Sequence, residues 1–97
     1  VEVYEPWNLA SMRLDIDGPV YFSIDLDALD PAFAPGVSHH EPGGLTTREL
    51  FHLIQTLRVE LVGADVVELN PHRDLVNMTA MIGAKCVKEL LAKMLQA

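Results

Sequence analysis

Apolar residues along the chain follow two periodicities, and the changes between them divide the chain into strands and helices. The nearly continuous apolar run Val20–Ile24 follows turn residues 17–19 and is typical of a strand buried in a parallel sheet. A capping-box pattern at Thr46–Glu49 precedes apolar residues at helical spacing, which predicts a helix to about residue 57 or 58. A second apolar run, Leu61–Val67, predicts another strand.

The remaining segments are less uniform. From Met78 the apolar residues keep helical spacing to the end of the chain, which predicts a final helix. Residues 27–46 contain too many prolines and glycines for regular structure, and we expect a long, ordered loop. Near the start of the chain Pro6 interrupts the pattern, and Leu9–Leu14 can form a short helix.

The order strand, helix, strand, helix is typical of a parallel α/β sheet with a right-handed crossover. Two strands alone would leave open edges and one bare face, so we expect further strands from missing sequence or another subunit. The chain begins with Val1 and not with methionine. We therefore interpret residues 1–97 as one segment of a single domain whose N-terminal part is missing, although a processed product or an incomplete gene model would look the same.

Composition narrows the ligand classes. With 14 acidic and 7 basic residues the net charge is -7, which disfavours nucleic acids and anionic membranes and favours cations or metals. The single Cys86 excludes an internal disulfide and indicates a reducing compartment, the cytoplasm or the mitochondrial matrix. No apolar run approaches the roughly 20 residues of a membrane-spanning helix.

Acidic residues follow directly from the first predicted strand. In an extended chain residues i and i+2 face the same way, so Asp25 and Asp27 should project together while Ile24 and Leu26 pack behind them. Two neighbouring carboxylates repel each other unless a cation lies between them, and such oxygen ligands suit Mn²⁺ or Mg²⁺. We interpret Asp25 and Asp27 as metal ligands, and Asp30 as a loop cap.

Glu68 ends the second strand and should lie at the same edge of the sheet, where it can bind a metal or a cationic substrate. The alternative is a solvated strand end. His39 lies in the loop beside the aspartates. We give equal weight to two interpretations, that His39 takes part in the site and that it does not. His52 is interpreted as a packing or surface residue, and Cys86 as a core residue.

Four stretches together resemble the C-terminal third of the ureohydrolase (arginase/agmatinase) family. They are SIDLDALDP at 23–31, FAPG at 33–36, GGLT at 43–46 and GADVVELNP at 63–71, and the match covers roughly residues 20–95. The stretches at 37–44 and 70–74 are closest to plant-type arginases and related bacterial enzymes. The resemblance implies the C-terminal part of a three-layer α/β/α fold with a parallel sheet.

The resemblance also implies an activity. The family hydrolyses a guanidino group, converting arginine to ornithine and urea or agmatine to putrescine and urea, with a binuclear manganese centre. Asp25 and Asp27 match two of its metal ligands, and Glu68 matches the acid that holds the substrate guanidinium. His39 falls near the substrate, where many relatives carry threonine. A homo-oligomer, trimeric or hexameric, is expected.

Two departures from the family pattern limit this interpretation. The other metal ligands, a histidine after paired glycines and an Asp-Ala-His-x-Asp run, are absent, as is the catalytic histidine. We therefore expect this segment alone to be inactive. The alternative is a non-catalytic truncated chain that binds metal or packs against full-length subunits. An unrelated metal-dependent α/β hydrolase fits only if the motifs are coincidental.

Overall fold

The computed structural model describes residues 1–12 and 14–96. In chain order the elements are a 3-10 helix Pro6–Ser11, strand β1 Pro19–Asp25, a 3-10 turn Leu26–Ala28, helix α1 Thr47–Thr56, strand β2 Glu60–Val67, a 3-10 turn Pro71–Arg73 and helix α2 Met78–Leu95. Both predicted strands and both predicted helices are confirmed. The short helix predicted at Leu9–Leu14 ends at Ser11, and Arg13 lies outside the described residues.

The start of α1 follows from its capping box. The Thr46 hydroxyl accepts a hydrogen bond from the backbone N–H of Glu49 at 3.0 Å, and the Glu49 carboxylate accepts one from the N–H of Thr46 at 2.9 Å. Such a cap stabilises a helix by about 1 kcal/mol. The apolar face that α1 buries carries Leu50, Phe51 and Ile54.

Strands β1 and β2 pair in parallel, which confirms the predicted parallel sheet, and the right-handed crossover stays a prediction. Their register runs from Pro19 opposite Glu60 to Asp25 opposite Val67, with one irregularity after Val20. Because the strands end side by side, the residues that follow them lie at the same edge of the sheet. Asp27 and Glu68 come from these two strand ends.

Both helices pack against the same face of the sheet. One hydrophobic core joins residues of that face to residues of the helices, namely Phe22, Ile24, Ala64 and Val66 with Leu50, Phe51, Ile54, Cys86 and Leu90. Burial raises the pKa of the Cys86 thiol to about 11, which keeps it protonated at neutral pH. Cys86 is thus a core residue, as predicted.

The opposite face of the sheet is uncovered by the described residues, and it carries polar groups. The hydroxyl of Tyr21 donates a hydrogen bond to Asp65 at 2.9 Å, and the hydroxyl of Ser23 donates to the other carboxylate oxygen. Tyr21 is 62% exposed. The expectation that one face of the sheet is bare is confirmed. The apolar run Val20–Ile24 predicted a buried strand, but β1 is buried on one face only.

Hydrogen bonds order the long loop between β1 and α1. The N–H of Asp30 donates to the carbonyl of Leu45, and the N–H of Leu45 donates to the carbonyl of Ala28, both at 2.9 Å. The Asp30 carboxylate accepts hydrogen bonds from the N–H groups of Ala32 and Gly43, which lower its pKa. Asp30 is therefore a loop cap, as predicted.

Among residues 1–12 and 14–96, no helix is long and apolar enough to cross a membrane.

Candidate metal and substrate site

Three side chains converge beyond the carboxyl ends of the strands. Asp27, His39 and Glu68 each offer one ligand atom, and these atoms all lie within 4.8 Å of one another. The distance between His39 Nδ1 and Asp27 Oδ2 is 3.8 Å. The structure thus brings together three of the four residues predicted for the site, from two strand ends and the intervening loop.

Asp27 is the most enclosed member of this group. Its side chain is 21% exposed, whereas that of His39 is 84% exposed. Its Oδ1 atom is buried and has no hydrogen-bond partner among the described residues. Leaving a carboxylate oxygen buried and unpaired costs free energy, which a bound cation would offset. Two carboxylates and an imidazole are a donor set that fits a divalent transition-metal ion.

Asp25 lies outside this group. Strand β1 ends at Asp25, and the chain then turns through the 3-10 turn, so the extended backbone does not continue to Asp27. Ile24 and Leu26 are buried behind the two aspartates, as predicted, but the Asp25 carboxylate is not part of the group formed by Asp27, His39 and Glu68. One oxygen of Asp25 instead accepts a hydrogen bond from the N–H of Asp27 at 2.8 Å. The assignment of Asp25 as a metal ligand stays a prediction.

Glu68 has an unusual backbone conformation. Its φ is +76°, in the left-handed region that residues other than glycine seldom adopt. Such a conformation costs on the order of 1–3 kcal/mol and persists only where the surrounding structure imposes it, often at functional sites. Hydrophobic periodicity ends at Val67 and carries no signal for this conformation, so the sequence interpretation missed it.

Residues around Asn70 connect the His39 loop to the segment that follows Glu68. The N–H of Asn70 donates to the carbonyl of Gly36 at 2.7 Å, and its side-chain amide donates to the Ser38 hydroxyl at 3.0 Å. Sequence reasoning missed Ser38 and Asn70, because the two residues are 32 positions apart. The only local signal is that each lies within two residues of a predicted site residue.

The other histidines take part in different contacts. The Nε2 atom of His40 lies 2.8 Å from the carbonyl oxygen of Pro35. His52 lies exposed on α1, in agreement with its interpretation as a packing or surface residue. His72 is also exposed, and its backbone N–H donates to the Asn70 side chain at 3.1 Å. His39 is thus the histidine that the structure brings to Asp27 and Glu68.

The family model described as the arginase family matches residues 5–92. The chain belongs to the arginase family. This arginase-family chain is 63% identical over 75 residues to "Arginase 1, mitochondrial" of Arabidopsis thaliana, a match that covers 76% of the chain and 22% of that relative. It is 51% identical over 75 residues to the guanidinopropionase of Pseudomonas aeruginosa, covering 76% of the chain and 24% of the relative.

Solved structures show the same fold. The arginase-family chain superposes on a triple mutant of a T. brucei arginase-like protein bound with Mn²⁺, with a TM-score of 0.81 and 42% identity. The superposition covers 89% of this chain and 31% of that chain. The predicted arginase-like α/β fold is therefore confirmed. The chain spans about a fifth of the length of its Arabidopsis relative. The shared fold therefore does not by itself assign the activity of a whole enzyme to this chain.

Proposed function

We propose that this chain forms part of a manganese-dependent amidinohydrolase that hydrolyses the guanidino group of a small cationic substrate. Arginine is the first candidate substrate and agmatine the second. The observation that carries the proposal is the convergence of Asp27, His39 and Glu68, whose ligand atoms all lie within 4.8 Å of one another. The 63% identity to an arginase supports the choice of arginine.

Asp27 is the principal metal ligand of this proposal. Its Oδ1 atom is buried without a hydrogen-bond partner among the described residues, and its Oδ2 atom lies 3.8 Å from His39 Nδ1. Asp25 precedes Asp27 by two residues at the end of β1. Oxygen ligands favour Mn²⁺ or Mg²⁺, and the triple mutant of the related T. brucei arginase-like protein is bound with Mn²⁺. When bound, the metal supplies Lewis-acid activation of a water nucleophile. In the complete enzyme this centre is proposed to be binuclear.

Glu68 provides the binding group for the substrate cation. A carboxylate can accept two parallel, charge-assisted hydrogen bonds from a guanidinium group, which fixes both its position and its plane. Glu68 is exposed, so a small cation can reach it from solvent. His39, beside it and also exposed, lines the entrance to the site and contacts the substrate. Glu68 and His39 thus bind and orient the guanidinium next to Asp27.

We also propose a homo-oligomer, trimeric or hexameric, in a reducing compartment. Helix α2 exposes Val87, Leu91 and Leu95, with exposed fractions of 47%, 52% and 83%, and such side chains favour further packing partners. The mitochondrial matrix and the cytoplasm both fit the single cysteine. The Arabidopsis relative named as mitochondrial supports the matrix.

The test is urea release from arginine and from agmatine with MnCl₂ present. It compares this chain alone with the chain joined to the remaining part of an arginase-family enzyme. We expect no urea from the chain alone and urea from the joined form, because the chain lacks several of the family's ligands. The preferred substrate then identifies the enzyme within the family.

If the joined form is folded and loaded with manganese but releases no urea, the catalytic proposal is contradicted. The chain would then be better explained as a non-catalytic partner that binds metal or packs against full-length subunits. The exposed apolar side chains of α2, Val87, Leu91 and Leu95, are the observation that favours packing against another subunit. Co-purification of the chain with a full-length arginase subunit, without added activity, would support it.

A further inference from the structure

We propose that the hydrogen bond from the Asn70 side-chain amide to the Ser38 hydroxyl positions His39 against Glu68. We call this bond the Asn70–Ser38 latch; its length is 3.0 Å. The inference rests on the proposed function, because it concerns the two residues assigned to guanidinium binding. Asn70 and Ser38 act through His39 and Glu68 and are therefore positioning residues.

The latch joins two segments that each carry one binding residue. Ser38 directly precedes His39, and Asn70 follows Glu68 by two residues. A change in the distance between Ser38 and Asn70 therefore shifts the backbone of His39 relative to the segment that carries Glu68. Ser38 and Asn70 are 32 positions apart along the chain. Non-covalent contacts therefore set the distance between the two segments.

Asn70 is oriented for this contact by its own turn. Its Oδ1 atom accepts a hydrogen bond from the N–H of His72 at 3.1 Å, and its backbone N–H donates to the carbonyl of Gly36 at 2.7 Å. These two contacts fix the side-chain carbonyl and the main chain, so the amide NH₂ group is left to donate to Ser38. The latch therefore forms without a search through side-chain conformations.

Apart from the backbone bond between Asn70 and Gly36, the other contacts near His39 are weak. Its side chain is 84% exposed, so packing does not fix it, and its 3.8 Å distance to Asp27 is too long for a hydrogen bond. The guanidinium of Arg73 reaches the Ser38 carbonyl at 3.4 Å, a long and therefore weak hydrogen bond. The latch is the shorter of these two side-chain hydrogen bonds to Ser38.

The matched variants are Ser38→Ala, which removes the acceptor of the latch, and Ser38→Thr, which keeps a hydroxyl. Ser38→Ala leaves the Asn70 turn and the backbone bond to Gly36 in place. Ser11→Ala is the control, since Ser11 is exposed and donates one local hydrogen bond to the carbonyl of Asn8. We expect all three variants of this chain to fold, because the substituted side chains are exposed.

Two NMR measurements on the chain test the latch without requiring catalysis. The first records nuclear Overhauser effects between the His39 ring and the Glu68 side chain, which we expect to be lost in Ser38→Ala and retained in Ser38→Thr and Ser11→Ala. The second titrates agmatine. We expect its Kd to rise about 2- to 10-fold in Ser38→Ala, the effect of one hydrogen bond, and to return to the parent value in Ser38→Thr.

The two measurements test the positioning role of the latch and its link to guanidinium binding separately. Unchanged Overhauser effects in Ser38→Ala, or their absence from the parent chain, would overturn the positioning role. Equal Kd values in the parent chain and Ser38→Ala, or no agmatine binding by the parent, would overturn the link to guanidinium recognition. Agmatine binding that depends on the latch, combined with no urea release by any form, would retain the inference and reject the catalytic proposal.

Discussion

The three residues of the site reach it through different physical features. Asp27 contributes a buried oxygen without a partner among the described residues, Glu68 a backbone with φ of +76°, and His39 an exposed ring on a loop. Only the first of these is a group whose burial is unfavourable until a cation binds. Asp27 is consequently the position at which a single substitution should change metal binding most.

We expect Asp27→Asn to lower the Mn²⁺ affinity of the chain by on the order of tenfold or more, since even outer-shell substitutions at metal sites cost about 10- to 100-fold. The amide keeps the shape of the side chain and removes its charge. The measurement is the free Mn²⁺ signal in electron paramagnetic resonance during titration. Asp17→Asn removes the same charge from an exposed turn and is the control. Equal affinities in Asp27→Asn and the parent chain would reject the ligand assignment.

At the scale of elements, the site depends on how the loop after β1 docks on the start of α2. Gly36 lies at this contact, where its N–H donates to the Thr79 hydroxyl at 2.8 Å. A Cβ atom at Gly36 would lie 2.8 Å from the Cβ of Thr79 and 2.9 Å from that of Asp74. The close approach leaves room only for glycine and brings the following residues, including Ser38 and His39, toward Asn70.

Gly36→Ala should therefore reduce the free energy of unfolding by about 1–3 kcal/mol, the usual cost of overpacking a close contact. Gly83→Ala is the matched control, because a Cβ there meets Leu26 and Val66 at ordinary contact distances of 3.7 and 3.9 Å. Gly83 lies within α2, where alanine should stabilise by up to about 1 kcal/mol. Urea denaturation of the two variants checks the prediction, and equal stabilities would contradict it.

At the scale of the whole molecule, stability depends on buried apolar surface and on two carboxylates that organise loops. Asp30 caps the long loop, and its pKa is lowered by the N–H groups of Ala32 and Gly43. Burial by itself would raise the pKa of Asp74, but hydrogen bonds from Thr79, Ala80 and Leu75 hold this pKa below its ordinary value. The folded state therefore stabilises the charged form of both carboxylates.

The sign of the resulting pH dependence follows from linkage. A carboxylate whose pKa is lower when folded stabilises the protein above its unfolded pKa, and this contribution is lost as pH falls through the folded value. We expect the free energy of unfolding to fall as pH decreases below about 4. In Asp30→Asn and Asp74→Asn this fall should be shallower, measured by urea denaturation between neutral and acidic pH. A decrease in Asp74→Asn as steep as in the parent chain would contradict the role of that carboxylate.

Much of the architecture could be predicted because its signals are local. The apolar run Val20–Ile24, the capping box at Thr46–Glu49 and the helical spacing after Met78 each act within a few neighbouring residues. The order of these elements then predicts a parallel crossover. Asp30 as a loop cap and Cys86 as a core residue followed from the same local information.

Part of the candidate site could be predicted for a similar reason. Carboxylates that end neighbouring parallel strands meet at one edge, so Asp27 and Glu68 could be placed together before the structure. The alternation around Asp25 and Asp27 also predicted that Ile24 and Leu26 are buried, which the structure confirms, although the chain leaves the extended conformation at Leu26. Hydrophobic patterns record which residues are buried, and they do not record where a strand turns.

The amino-acid sequence by itself determined the strands, the helices, the acidic edge of the sheet and the resemblance to a family, since each depends on residues close together along the chain. Only the tertiary structure decided that His39 joins Asp27 and Glu68, that Glu68 takes a left-handed backbone and that Asn70 reaches Ser38. These features depend on contacts between segments far apart in sequence. Such contacts exist only once the hydrophobic core has brought the segments together, so no local pattern encodes them.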